Sequence, residues 1–115
     1  MSGSEKEKEK RLYDMHAEIC KIFTSPKRLE IIDLLQEGER SVSELSASTG
    51  LSQSSVSQHL AILRERGVVA TRRDGNTVFY RIANPKILEA CRLMREVLLE
   101  RMNESGKLAT EVQRR

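Results

Sequence analysis

The sequence predicts a mainly α-helical fold of five helices carrying a two-stranded β-wing. Three observations predict it. Apolar residues recur at three- and four-residue intervals through most of the chain, and two short helical segments meet at a tight glycine turn. One segment, "VVATRRDGNTVFYRIA", changes to β-branched and aromatic residues around a "DGN" turn.

Residues 1–10 are small or charged and are expected to form a flexible tail, in which the "SEKEKEKR" run nearly cancels its own charge. Leu12, Met15, Ile19 and Ile22 or Phe23 then mark a first helix that "TSP" interrupts. Ser25 before Pro26 suits a cap followed by proline at the first helical position, and Leu29, Ile32 and Leu35, or Ile31 and Leu35, give a second stripe ending at Gly38. In "SVSEL", Ser41 and Glu44 have the spacing of a capping box, which opens a short third helix reaching about Ser48.

Gly50 can take a positive φ and Ser52 can cap the fourth helix, which buries Val56, Leu60 and Leu63 and closes at Gly67. The third and fourth helices thus form a helix-turn-helix, and the following hairpin makes it winged. Asn84-Pro85 launches a last helix with Ile87, Cys91, Met94, Leu98 and Met102 on one stripe, widened by Leu88 and Val97. The expected organisation is a winged helix-turn-helix domain over residues 11–106, with residues 107–115 as a loose tail.

Composition narrows the function. The chain has 115 residues, a formal charge of +3, 38% hydrophobic and 3% aromatic residues, and no Trp. One domain fits this length, with a modest aliphatic core that a second subunit would help to complete. So few aromatics leave no stacking platform for single-stranded nucleic acid. Positive charge collects at Arg64, Arg66, Arg72, Arg73 and Arg81 against Glu65 and Asp74. No phosphate loop, Cys-His nucleophile arrangement or carboxylate pair at a characteristic spacing points to an enzyme. Neither a signal peptide nor a membrane-length apolar run is present, so the expected location is the cytoplasm, where Cys20 and Cys91 are reduced.

The fourth helix is unusual in its polar face. Serine is a mediocre helix former, yet Ser52, Ser54, Ser55 and Ser57 fall in "LSQSSVSQHL". Side chains entering the major groove must be short and polar, and Gln53, Ser54, Ser57, Gln58 and His59 meet that need. No acid interrupts the run from Leu51 to Leu63, which keeps it free of repulsion towards phosphate. A merely solvated face would favour Glu, Lys and Ala. Arg72, Arg73, Asn76 and Thr77 lie at or beside the hairpin tip, where they can reach phosphates or the adjacent minor groove; the alternative is a charged hairpin that only blunts a sheet edge.

From about Phe23 to Met102 the chain resembles the ArsR/SmtB family of small dimeric winged-helix repressors, on "SPKRLEIIDLL", "SVSELSASTGLSQSSVSQHLAILRERGVV" and "RRDGNTVFYRIANP" in that order. The resemblance implies a homodimer joined through the first and last helices and a DNA-reading segment from Gln53 to His59. It also implies repression of an imperfectly palindromic double-stranded operator, relieved by a metal ion, a metalloid or a thiol oxidant. The family's familiar inducer sites are missing. Ser41 and Ser43 stand where arsenic or cadmium sensors carry Cys-x-Cys. The positions matching zinc ligands offer Asn84, Lys86 and Val97 with only Glu100 suitable, and Asp33 replaces one cysteine of the persulfide sensors.

Packing of the first helix on the last, as the family implies, would bring Cys20 towards Cys91, with His16 one turn before Cys20. Three readings stay open: a soft-metal or metalloid site of His16, Cys20 and Cys91, a reversible disulfide without any cofactor, and cysteines that are inert small hydrophobes. With inert cysteines, the chain could also serve as a winged-helix module for protein association, its basic wing facing an acidic partner.

Overall fold

The structure, a computed structural model, describes residues 2–105. Helix α1 (Ser2–Ile22) is followed by α2 (Pro26–Leu35), strand β1 (Arg40–Ser41), α3 (Val42–Thr49) and α4 (Gln53–Glu65). Strands β2 (Val69–Asp74) and β3 (Thr77–Ile82) form the wing, and α5 (Pro85–Ser105) ends the described chain. The expected loose tail at 107–115 lies outside the described residues. Residues up to Ala83 form one compact unit, and α5 belongs to a second that begins at Asn84. No described helix is long and apolar enough to cross a membrane.

The N-terminal expectation needs correcting. Helix α1 begins at Ser2, so residues 2–10 are helical rather than a tail. Glu and Lys favour helix, and Glu5/Lys8, Lys6/Glu9 and Glu7/Lys10 put opposite charges three residues apart, on one face. The absence of an apolar stripe leaves this segment solvated without unwinding it.

Local chemistry fixes the next elements. Ser25 Oγ accepts from the Arg28 amide at 3.3 Å ahead of Pro26, the first residue of α2. The capping box closes both ways: Glu44 N–H donates to Ser41 Oγ at 3.2 Å, and Ser41 N–H to Glu44 Oε1 at 3.1 Å. Ser41 is buried, so these bonds also satisfy a polar group within the fold. Gly50 ends α3 with φ +75°, and its N–H donates to Ser46 O at 3.0 Å.

The core of the first unit is aliphatic: Ile22, Ile31, Ile32, Leu35, Leu45, Val56, Leu60, Leu63, Val68 and Val69. Every expected inward residue of α4 is buried. On α2 the inward set is Ile31, Ile32 and Leu35, whereas Leu29 is 40% exposed.

The expected two-stranded wing is present, paired antiparallel from Val69↔Ile82 to Asp74↔Thr77. Gly75 at φ +62° opens its two-residue loop, and no non-glycine residue among those described takes a positive φ, which is the pattern of a type II′ turn. Strand β1 adds to the other side of β3 through Arg40↔Tyr80 and Ser41↔Phe79, giving the order β1-β3-β2.

Candidate nucleic-acid interface

Helix α4 starts from Ser52, whose Oγ accepts from the Ser55 amide at 3.1 Å. With Val56, Leu60 and Leu63 fully buried, the helical period turns Gln53, Ser54, Ser57 and Gln58 outward, and all four are exposed. Gln53 Nε2 donates to Ser43 Oγ at 3.4 Å, which steadies its side chain across the turn. Ser55, half-buried, is the partner of Ser52 rather than part of the outward face; the two hydroxyls are 3.1 Å apart.

His59 lies on the edge of this face, half-buried, with Nδ1 accepting from Arg28 Nε at 3.2 Å. Burial, and then the Arg28 charge, hold its pKa below the usual histidine value. Nothing in the sequence announces this pairing, because the two residues are 31 apart.

The wing divides the predicted cations. Arg72 lies over the Phe79 ring at 5.0 Å and reaches across β3 to Glu39. Its Nε is 3.1 and 3.2 Å from the two carboxylate oxygens, and its Nη2 donates to Oε1 at 2.5 Å. The Glu39 pKa is consequently lowered, mainly by this hydrogen bond. Arg72 therefore staples the wing to the segment before β1, its charge already matched. Arg73, on the opposite face of the same strand, has no ion-pair partner among the described residues and is exposed, as are Asn76 and Thr77 at the tip. The outward polar face of α4 and the unmatched wing cation Arg73 together suit a nucleic-acid duplex, α4 for base edges and the wing for backbone.

His16 and Cys20 are exposed on α1, four residues apart, and Cys91 on α5 is half-buried. Among the described residues no group of three or more His, Cys, Asp and Glu side chains is placed to hold a metal ion. A link that the sequence does not signal joins α1 to the end of α4: Arg66 Nη2 donates to Glu18 Oε2 at 3.1 Å.

Comparison with known proteins gives this geometry its family. Residues 25–71 match the family model described as bacterial regulatory protein, arsR family. The HTH-type transcriptional regulator Rv0081 of Mycobacterium tuberculosis is 49% identical over 88 residues, 76% of this chain and 77% of the relative. Its crystal structure superposes with a TM-score of 0.76 at 44% identity, covering 82% of this chain and 95% of that one. The biofilm growth-associated repressor of Xylella fastidiosa is 42% identical over 78 residues, 68% of each chain. A solution structure of the homodimeric winged helix-turn-helix DNA-binding domain of Mb0332 from Mycobacterium bovis matches with a TM-score of 0.72 at 34% identity, covering 76% of this chain and 82% of that one. The chain belongs to the ArsR family of bacterial regulatory proteins and is a transcriptional regulator with a winged helix-turn-helix fold.

Proposed function

We propose that the chain is a homodimeric repressor that binds an imperfect palindrome in double-stranded DNA and is released from it by oxidation of its thiols. The observation that carries the DNA reading is the outward face of the N-terminal part of α4, acid-free from Leu51 to Leu63, with Gln53, Ser54, Ser57 and Gln58 exposed, and a wing cation that no carboxylate among the described residues neutralises. Each dimer would place two such helices in successive major grooves, with half-sites about 34 Å apart.

Support for the dimer comes from apolar surface on two helices, each taken by itself. Leu12, Tyr13 and Met15 are exposed on α1, and Leu93, Met94, Val97 and Leu98 on α5. Scattered exposed apolar residues are ordinary, but rows of them along a helix fit burial against a second subunit. The Mb0332 domain, a relative, is homodimeric.

The release reading rests on Cys20, an exposed thiol on α1. Two cysteine thiols lose two protons and two electrons to a thiol oxidant and gain one S–S bond. Ligation of a soft metal or metalloid by the same thiols is the alternative.

A mobility-shift assay on DNA upstream of the protein's own operon, with the mass of the complex read by light scattering, tests the binding reading. Salt-sensitive binding of two copies per site supports it; absent or salt-insensitive binding refutes it in favour of a protein-association module. Operator release on titration with diamide, Zn(II), Cd(II) and arsenite tests the second. Diamide should release the wild type and neither Cys20→Ser nor Cys91→Ser, and normal release of both variants would reject the thiol mechanism.

A further inference from the structure

Arg28, in the first turn of α2, touches two other helices at once. Nη1 donates to Ile22 O, the last residue of α1, at 3.4 Å, and Nε donates to His59 Nδ1 in the middle of α4 at 3.2 Å. Its position is fixed from below, since its own amide donates to the Ser25 cap. One guanidinium therefore joins the end of α1 to the helix that carries the outward polar face.

The chemistry of that contact determines what His59 offers. A guanidinium has only donors, so the Nδ1 that receives its hydrogen is unprotonated. A neutral imidazole with a bare Nδ1 carries its proton on Nε2. Burial and the neighbouring Arg28 charge favour the same neutral form. Nε2 is also accessible. Every buried side-chain nitrogen or oxygen among the described residues has a hydrogen-bond partner, and no described protein group pairs with His59 Nε2, so this atom opens to solvent.

We propose that Arg28 is a positioning residue that fixes His59 as an Nε2–H donor, which then meets a hydrogen-bond acceptor on the DNA, a purine N7 in the major groove or a phosphate oxygen. The proposal rests on the reading of α4 as the DNA-contacting helix. At a base edge such a donor tolerates guanine O6, thymine O4 or a purine N7 and is repelled by the amino groups of adenine and cytosine. Arg28 is legible as a functional residue only through this contact, because its place in α2 is remote from the reading face in sequence.

The test uses the full chain and begins without DNA. Nitrogen-15 NMR of the histidines at neutral pH reads the tautomer directly: His59 should carry its proton on Nε2, and Arg28→Met, which keeps the stem but removes the donors, should give a tautomer mixture. Arg28→Lys, which retains a donor cation, should restore the wild-type pattern. Affinity is then measured for a duplex that the wild type recovers from a randomised pool. His59→Ala and Arg28→Met should each weaken binding by about tenfold, the double variant by no more than either alone, and His59→Gln, whose amide N–H can take the place of Nε2–H, by less than about threefold. Repeating the series with 7-deazapurines, and then with methylphosphonate linkages, separates the two acceptors: loss of the His59 effect on the first assigns it to N7, and loss only on the second to phosphate. A proton on Nδ1, a charged ring, wild-type affinity of His59→Ala, or losses that multiply in the double variant would each overturn the proposal. If the wild type prefers no duplex, the DNA reading fails while the NMR pattern still decides the pairing of Arg28 with His59. Should circular dichroism show Arg28→Met unfolded, the wild-type tautomer and the contrast of His59→Gln with His59→Ala decide it.

Discussion

Arg72 and Arg73 are neighbours in sequence with opposite electrostatic circumstances, and the salt dependence of DNA binding should tell them apart. Glu39 matches the charge of Arg72, whereas Arg73 has no ion-pair partner among the described residues. Each phosphate neutralised by a free cation adds about 0.9 to the slope of log affinity against log salt. Arg73→Ala in a dimer removes two such contacts and should flatten the slope by about 1.8, so that the affinity lost between 50 and 200 mM salt shrinks by about twelvefold. Arg72→Ala removes a charge that is already paired, and it should lower affinity at every salt concentration without changing the slope, because the wing loses its tie to Glu39 and its stacking on Phe79. Fluorescence anisotropy of a labelled duplex across a salt series measures both. Equal flattening by Arg72→Ala and Arg73→Ala would mean that the Glu39 pair opens on DNA and would contradict this division, as would an unchanged slope in Arg73→Ala.

Other consequences concern the scaffold. Leu45 of α3 is fully buried, so Leu45→Ala should cost about 2–5 kcal/mol in urea unfolding, and a loss below about 1 kcal/mol would show that the site collapses freely. Ser52→Ala removes the cap of α4 and should cost about 1 kcal/mol, with Ser52→Gly losing less. Gly50→Ala forces a Cβ into the left-handed region at φ +75° and should destabilise by about 1 kcal/mol, although open space surrounds that Cβ; an unchanged midpoint would mean that the turn relaxes. The pH dependence has two limbs of the same sign. His59 has a lowered pKa, so its contribution is complete above the unfolded value of 6.5 and is lost as pH falls below it; Glu39, lowered by Arg72, contributes above 4.5 and loses that stability as pH falls further. Urea midpoints against pH should therefore decline on acidification, more gently near pH 6 in His59→Gln and more gently below pH 4.5 in Glu39→Gln, and parallel curves for all three proteins would contradict both assignments.

What the sequence made legible was what neighbouring residues decide among themselves. The Ser41–Glu44 box, the Ser52 cap, the turn at Gly50 and the hairpin around Gly75 are each settled within a few positions, and each stands where expected. The outward set on α4 was equally legible, because burial of Val56, Leu60 and Leu63 leaves the period no other face for Gln53, Ser54, Ser57 and Gln58. Residues 2–10 misled for a physical reason: apolar periodicity reports what a helix buries, and this stretch of α1 buries nothing while its charges still favour the helix. Pairings across long separations were invisible. Arg72 with Glu39 spans 33 positions and Arg66 with Glu18 spans 48, and only the fold decides that such residues meet. Strand β1 was missed because two residues are too few to show a period.

Sequence reading by the face of α4 is measured most directly by the ratio of affinities for a selected operator and a scrambled duplex of equal length, compared between the wild type and Gln53→Ala with Ser57→Ala. A strong preference in the wild type should fall at least tenfold in the double variant, at about 1–3 kcal/mol for each lost base contact, while the salt slope stays the same. An equal preference in both proteins, or none in the wild type, would contradict it.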